Sequence, residues 1–219
     1  KFTNKVPPLS TFAHGFEAGL ANAVKAGAFP KNPQVYLVKT GQGGSIVTEW
    51  HTGGTYWNKF LERTNRAKQL IPQPVQWVVW YSLGINDKIG DNTVVPPRLP
   101  TPVSTFKLET AAHIAKIKEQ LPDAIIIMTQ FQAQGAAPAS LGAVSYDDYN
   151  QALAEVASSQ PNVYVVDSTG TELSGAMYNW DLSKGGDIHH WEANGLKQMA
   201  SKIVDITKSA VAKGGISIS

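Results

Sequence analysis

Asp187 and His190 stand three residues apart in Asp187-Ile188-His189-His190, with Gly195 five residues further on. An aspartate at that spacing can fold back to accept the imidazole Nδ1–H. This fixes the tautomer and leaves Nε2 free as a general base. Two other segments carry groups that suit the same chemistry. In Gly41-Gln42-Gly43-Gly44-Ser45, Gly43 lets a main-chain N–H approach a substrate oxygen with no side chain in the way. In Gly84-Ile85-Asn86-Asp87, Asn86 can aim an amide N–H at the same point. Two such donors make an oxyanion hole, and losing one costs about 2.7–4 kcal/mol of transition-state stabilisation. The set suits attack on an ester carbonyl through a tetrahedral oxyanion. Each segment also has a plainer reading. Asp187 is a common helix cap, Asn86-Asp87 suits an ordinary turn, and either Gly43 or Gly44 answers a turn's need for positive φ.

The elements that must position these residues follow from periodicity. Residues 10–27, 55–71, 105–121, 146–158 and 193–212 repeat apolar side chains at helical spacing, with Ser10 and Ser145 as caps. Residues 34–39, 75–83, 124–129 and 163–167 read as strands. VQWVVWYSL and AIIIMT are continuously apolar, as a parallel sheet covered on both faces requires. Strands separated by helices predict a three-layer α/β/α, flavodoxin-like, doubly wound parallel sheet in a single domain over residues 1–219. The irregular segments 40–54, 84–104, 130–144 and 168–189 each follow the carboxyl end of a strand, where open α/β sheets bind ligands.

These residues resemble the SGNH (GDSL-like) hydrolases, whose four blocks are named for Ser, Gly, Asn and His. Gly43-Gly44-Ser45 is similar to the Gly block, Gly84-Ile85-Asn86-Asp87 to the Asn block, and Asp187-x-x-His190 with Gly195 to the His block. The resemblance spans roughly residues 34–206. Within the family, GQGGSIVTEW most resembles the carbohydrate and sialate O-acetylesterases. The resemblance implies a serine esterase that removes O-acetyl groups from a sugar or polysaccharide and needs no cofactor. His190 would be the base, Asp187 its orienter, and Gly43 and Asn86 the oxyanion donors. Trp50, with His51 and Tyr56, is a candidate to stack on a sugar face.

The chain departs from the family at the nucleophile. No strand ending in Gly-Asp-Ser or Gly-Gln-Ser precedes the Gly block. Ser10 reads better as a helix cap and is a fallback only, Ser45 belongs to the Gly block, and Ser168 follows the last strand. In the family's topology the first strand lies between those expected at 34–39 and 75–83. Without it, buried strand edges would lose partners at about 1–3 kcal/mol per group. The expectation is therefore that an upstream segment or a separate chain supplies that strand and its serine. A second class stays open: a non-catalytic carbohydrate-binding or adhesion module that kept the cleft.

Composition narrows the field. With 219 residues, 19 basic and 17 acidic side chains and a net charge of +2, nothing attracts a polyanion over a broad face, and nucleic acid is not an expected partner. There are no cysteines, which excludes disulfides, thiolate metal sites and a cysteine nucleophile. Adjacent His189 and His190 point apart from one backbone, so no metal site is expected, and no apolar run is long enough to span a membrane. The expected location is extracellular, periplasmic or virion-associated.

Overall fold

The structure is a computed structural model that describes residues 17–29, 34–91, 94–131, 145–168 and 193–213. Among the described residues the sheet has three strands in the order β1 (Val78–Tyr81), β2 (Ile125–Thr129) and β3 (Val163–Val166), all parallel. Val78 pairs with Ile125 and Ile126 with Val163, which places the carboxyl ends of the strands at one edge. The helices are α1 (Glu17–Lys25), α2 (Trp57–Leu70), α3 (Ile85–Ile89), α4 (Val103–Gln120), α5 (Asp147–Ser158) and α6 (Ala193–Lys213). A 3₁₀ turn occupies Val47–Trp50.

β2 shows why its sequence does not alternate. Ile126 and Met128 join the core formed by α2, α4 and α5, with Phe60, Ile114 and Leu153. Ile125 and Ile127 face the other way, against Val166 and the α6 residues Met199 and Ile203. Successive side chains enter opposite layers, so every position is apolar. Each fully buried Ile contributes about 1.5–3 kcal/mol. α1 lies against α6 and completes that layer. The mixed α/β, three-layer expectation is met, and the core helices fall within two residues of their predicted bounds.

The expected strand at 34–39 is a correction. Residues 34–40 join no ladder among the described residues, and Tyr36 and Leu37 are 46% and 53% exposed. A strand exists through its partner's hydrogen bonds, and no described segment lies in position to supply them. The segment is held from the side instead: Arg63 Nη1 donates to the Lys39 carbonyl at 2.5 Å, and Lys39 pairs with Glu17 at 2.6 Å.

Candidate functional site

β1 delivers the Asn block to the carboxyl edge of the sheet. Gly84 sits at φ +130, and a Cβ there would lie 2.7 Å from the Phe106 ring and 2.8 Å from Phe131. Only glycine fits that crossing. The chain then turns into α3, whose first turn holds Asn86 and Asp87. This short helix lies in a segment the periodicity assigned to loop, because five residues are too few to repeat.

Asn86 and the Gly segment meet. Asn86 Nδ2 donates to the Ser45 carbonyl at 3.2 Å, two residues from Gly43. An amide carries two N–H donors, so one can hold this carbonyl while the other serves a ligand. Asp87 is 1% exposed, and its carboxylate accepts the Val47 N–H at 3.1 and 3.3 Å and the Thr101 hydroxyl at 3.3 Å. Burial pushes this carboxyl up to about 6, against the pull of the Val47 N–H, the Thr101 hydroxyl and the Arg98 guanidinium. The Asp87 carbonyl also accepts the Thr101 N–H at 2.7 Å. Asp87 is thus the hub that fixes both flanking loops, a structural role.

The Gly turn itself is exposed from Gly41 to Gly44. Its positive φ falls on Gly44, at +75. Gly43 needs no positive φ, and a Cβ on it would meet nothing within 4 Å among the described residues. Neither backbone nor packing therefore asks for glycine at position 43. Ser45 anchors the turn: its hydroxyl donates to the Gln42 carbonyl at 2.8 Å and accepts the Trp50 indole N–H at 3.0 Å.

Trp50 is a correction. Its side chain is a core group, 6% exposed, packed 5.3 Å from Tyr56 and 6.4 Å from His113 between ring centroids. Buried among these rings, it holds the Gly turn through Ser45 rather than offering an open sugar platform. Tyr56 and His51 belong to the same cluster, His51 Nδ1 lying 3.4 Å from the Glu109 carboxylate. His113 is buried at its centre, with Nδ1 3.3 Å from the Tyr81 hydroxyl. Burial, with His51 nearby, lowers its pKa to about 3. It stays neutral.

Asp187, His190, His189 and the fallback Ser10 lie outside the described residues; α6 begins at Ala193, three positions after His190. Ser168, at the end of β3, is fully buried, and its hydroxyl has no partner among the described residues. No group of three or more His, Asp or Glu side chains among the described residues is arranged to hold a metal ion. No described helix is long and apolar enough to cross a membrane. Sequence reasoning missed Arg98. Its Nη2 donates to the Gly44 carbonyl at 3.2 Å and lies 3.8 Å from the Asp91 carboxylate. The one signal was an isolated cation inside the Pro-rich stretch Pro96-Pro97-Arg98-Leu99-Pro100.

Residues 3–209 match the family described as carbohydrate esterase, sialic acid-specific acetylesterase. A crystal structure of an Arabidopsis thaliana protein is similar, with a TM-score of 0.63 and 19% identity over 87% of this chain. The match spans 66% of that protein's length. A Bacillus subtilis protein, YXIM, gives a TM-score of 0.44 and 18% identity, over 80% of this chain and 45% of its own. No curated protein matches.

Proposed function

As the chain belongs to the carbohydrate esterase family of sialic acid-specific acetylesterases, we propose that it removes O-acetyl groups from a carbohydrate by serine acyl transfer. The family supports the coarse class, a carboxylic ester hydrolase. The observation that carries the finer reading is the Asn86–Ser45 hydrogen bond of 3.2 Å, which brings a side-chain amide and the glycine turn together at the carboxyl edge of the sheet. The unconstrained glycine at 43 adds to it. With no need for φ > 0 and no neighbour to clash with among the described residues, its missing side chain suits a ligand that must approach the main chain.

In this reading a serine attacks the acetyl carbonyl. His190 takes its proton and passes it to the sugar oxygen as that bond breaks, while Asp187 orients the imidazole. The Gly43 N–H and the second Asn86 N–H hold the oxyanion. Water then repeats the sequence on the acyl-serine and releases acetate. The serine sits on a strand that is not among the described residues, supplied by an upstream segment or a separate chain. Two features support that placement. β1 forms ladder pairs only with β2 among the described residues. The apolar side chains of Tyr36 and Leu37 are about half exposed on residues 34–40, which join no ladder among the described residues.

Turnover of p-nitrophenyl acetate by the purified protein, together with the upstream segment or separate chain proposed to carry the serine, tests the reading. A fluorophosphonate should label a serine on that upstream segment or separate chain, outside residues 1–219, and abolish turnover. His190→Ala should lower kcat by several powers of ten, and Asn86→Ala by about 10²–10³. Absence of both turnover and labelling would point to a binding module instead.

A further inference from the structure

The two-glycine turn poses a physical problem. Gly43 and Gly44 have more conformational freedom to lose than any other residues, and residues 41–44 are exposed. An oxyanion donor must nonetheless be held before the charge develops. We propose that Arg98 is the positioning residue that holds this turn, a role that rests on the esterase reading above.

Its guanidinium donates from Nη2 to the Gly44 carbonyl at 3.2 Å, the peptide group at the pivot where φ is +75. Arg98 is itself fixed. Its N–H donates to the Asp91 carbonyl at 2.8 Å, and its carbonyl accepts the Asp91 N–H at 2.7 Å. The guanidinium stands 3.8 Å from the Asp91 carboxylate and is close enough to Asp87 to draw that carboxyl down. Its side chain is half-buried, 23% exposed. Three successive tethers therefore run from the Asn86–Arg98 segment to the Gly segment. Arg98 takes the Gly44 carbonyl, Asn86 the Ser45 carbonyl and Asp87 the Val47 N–H. The last two lie beyond the glycines. The Arg98 bond acts on the glycine pair directly, and its charge makes it stronger than a neutral one. The planar fork suits a fixed carbonyl better than a mobile ammonium does.

Arg98→Met keeps the aliphatic packing and removes the donors; Arg98→Lys restores one donor. Two readouts are needed. Hydrogen exchange of residues 41–46 should be faster in Arg98→Met by at least about tenfold and partly recovered in Arg98→Lys, while β2 amides stay unchanged. On p-nitrophenyl acetate, a neutral ester that gives a guanidinium no charge to grip, kcat should fall by at least about tenfold with KM within about twofold. The lysine variant should recover part of that loss. Unchanged exchange at 41–46 in Arg98→Met overturns the proposal whatever the kinetics. Faster exchange with unchanged kcat, or a loss confined to KM, also overturns it. If the unmodified protein shows no turnover, the esterase reading fails on its own, and with it the catalytic role of Arg98. The exchange result then still decides whether the clamp exists.

Discussion

Two glycines at the site are glycine for opposite reasons. Gly84 is demanded by the fold: φ +130 and two phenyl rings within 2.8 Å of a would-be Cβ leave no alternative. Gly84→Ala should cost at least about 2 kcal/mol, from backbone strain plus overpacking, read as a shift in the urea midpoint. Gly43 faces no such demand. Gly43→Ala should leave stability within about 0.5 kcal/mol of the parent, as for a surface change that touches nothing. It should nevertheless depress ester turnover, because the methyl group enters the space that an oxyanion needs. A Gly43→Ala protein that is stable and fully active would remove this residue from the site.

At the scale of elements, the 3₁₀ turn Val47–Trp50 couples the glycine segment to the core. Trp50 donates its indole N–H to Ser45, which in turn secures Gln42. Ser45→Ala would leave the indole N–H buried without an acceptor, at about 1–3 kcal/mol. Once Trp50→Phe has removed that donor, the serine change should cost less. The double-mutant cycle should therefore give a coupling energy of about 0.5–3 kcal/mol. Additive losses would show that the two side chains act independently. The same coupling explains why a tryptophan six residues past Gly44 reads as a sugar platform in sequence. Its spacing from the glycines is visible there, but the helix that closes over it is not. α4 brings His113 against one face of the ring, 6.4 Å away, and Tyr56 packs at 5.3 Å.

At the scale of the whole molecule, two buried groups, His113 and Asp87, set opposing pH dependences. Folded His113 titrates at about 3 against an ordinary 6.5. Between those values the unfolded chain takes up a proton that the folded chain refuses. This contribution to stability is complete above 6.5 and is lost as pH falls toward 3. Folded Asp87 titrates at about 6 against 3.8. Its contribution is complete below 3.8 and is lost as pH rises toward 6. In the shared window the two cancel in part. Relative to the parent, Asp87→Asn should make stability rise more steeply with pH between 3.8 and about 6, and His113→Gln should make it rise less steeply or fall. Urea midpoints across that window check this, since all other carboxylates are common to the three proteins. Parallel curves would show that neither group titrates as its burial implies.

What the sequence determined was local or periodic. The continuous apolar runs required a sheet covered on both faces, and Ile125, Ile126, Ile127 and Met128 do alternate between two layers. Helical spacing located α2, α4, α5 and α6, and Gly84-Ile85-Asn86-Asp87 was legible as polar groups at the end of a strand, though not as the short helix α3 that they open. Tertiary structure alone decided the rest, because it depends on neighbours remote in the chain. Residues 34–39 have strand composition but join no ladder among the described residues, since pairing belongs to two segments and not to one. Arg98 became part of the site only when the Asp91–Arg98 bridge carried its guanidinium across 54 residues of sequence to Gly44.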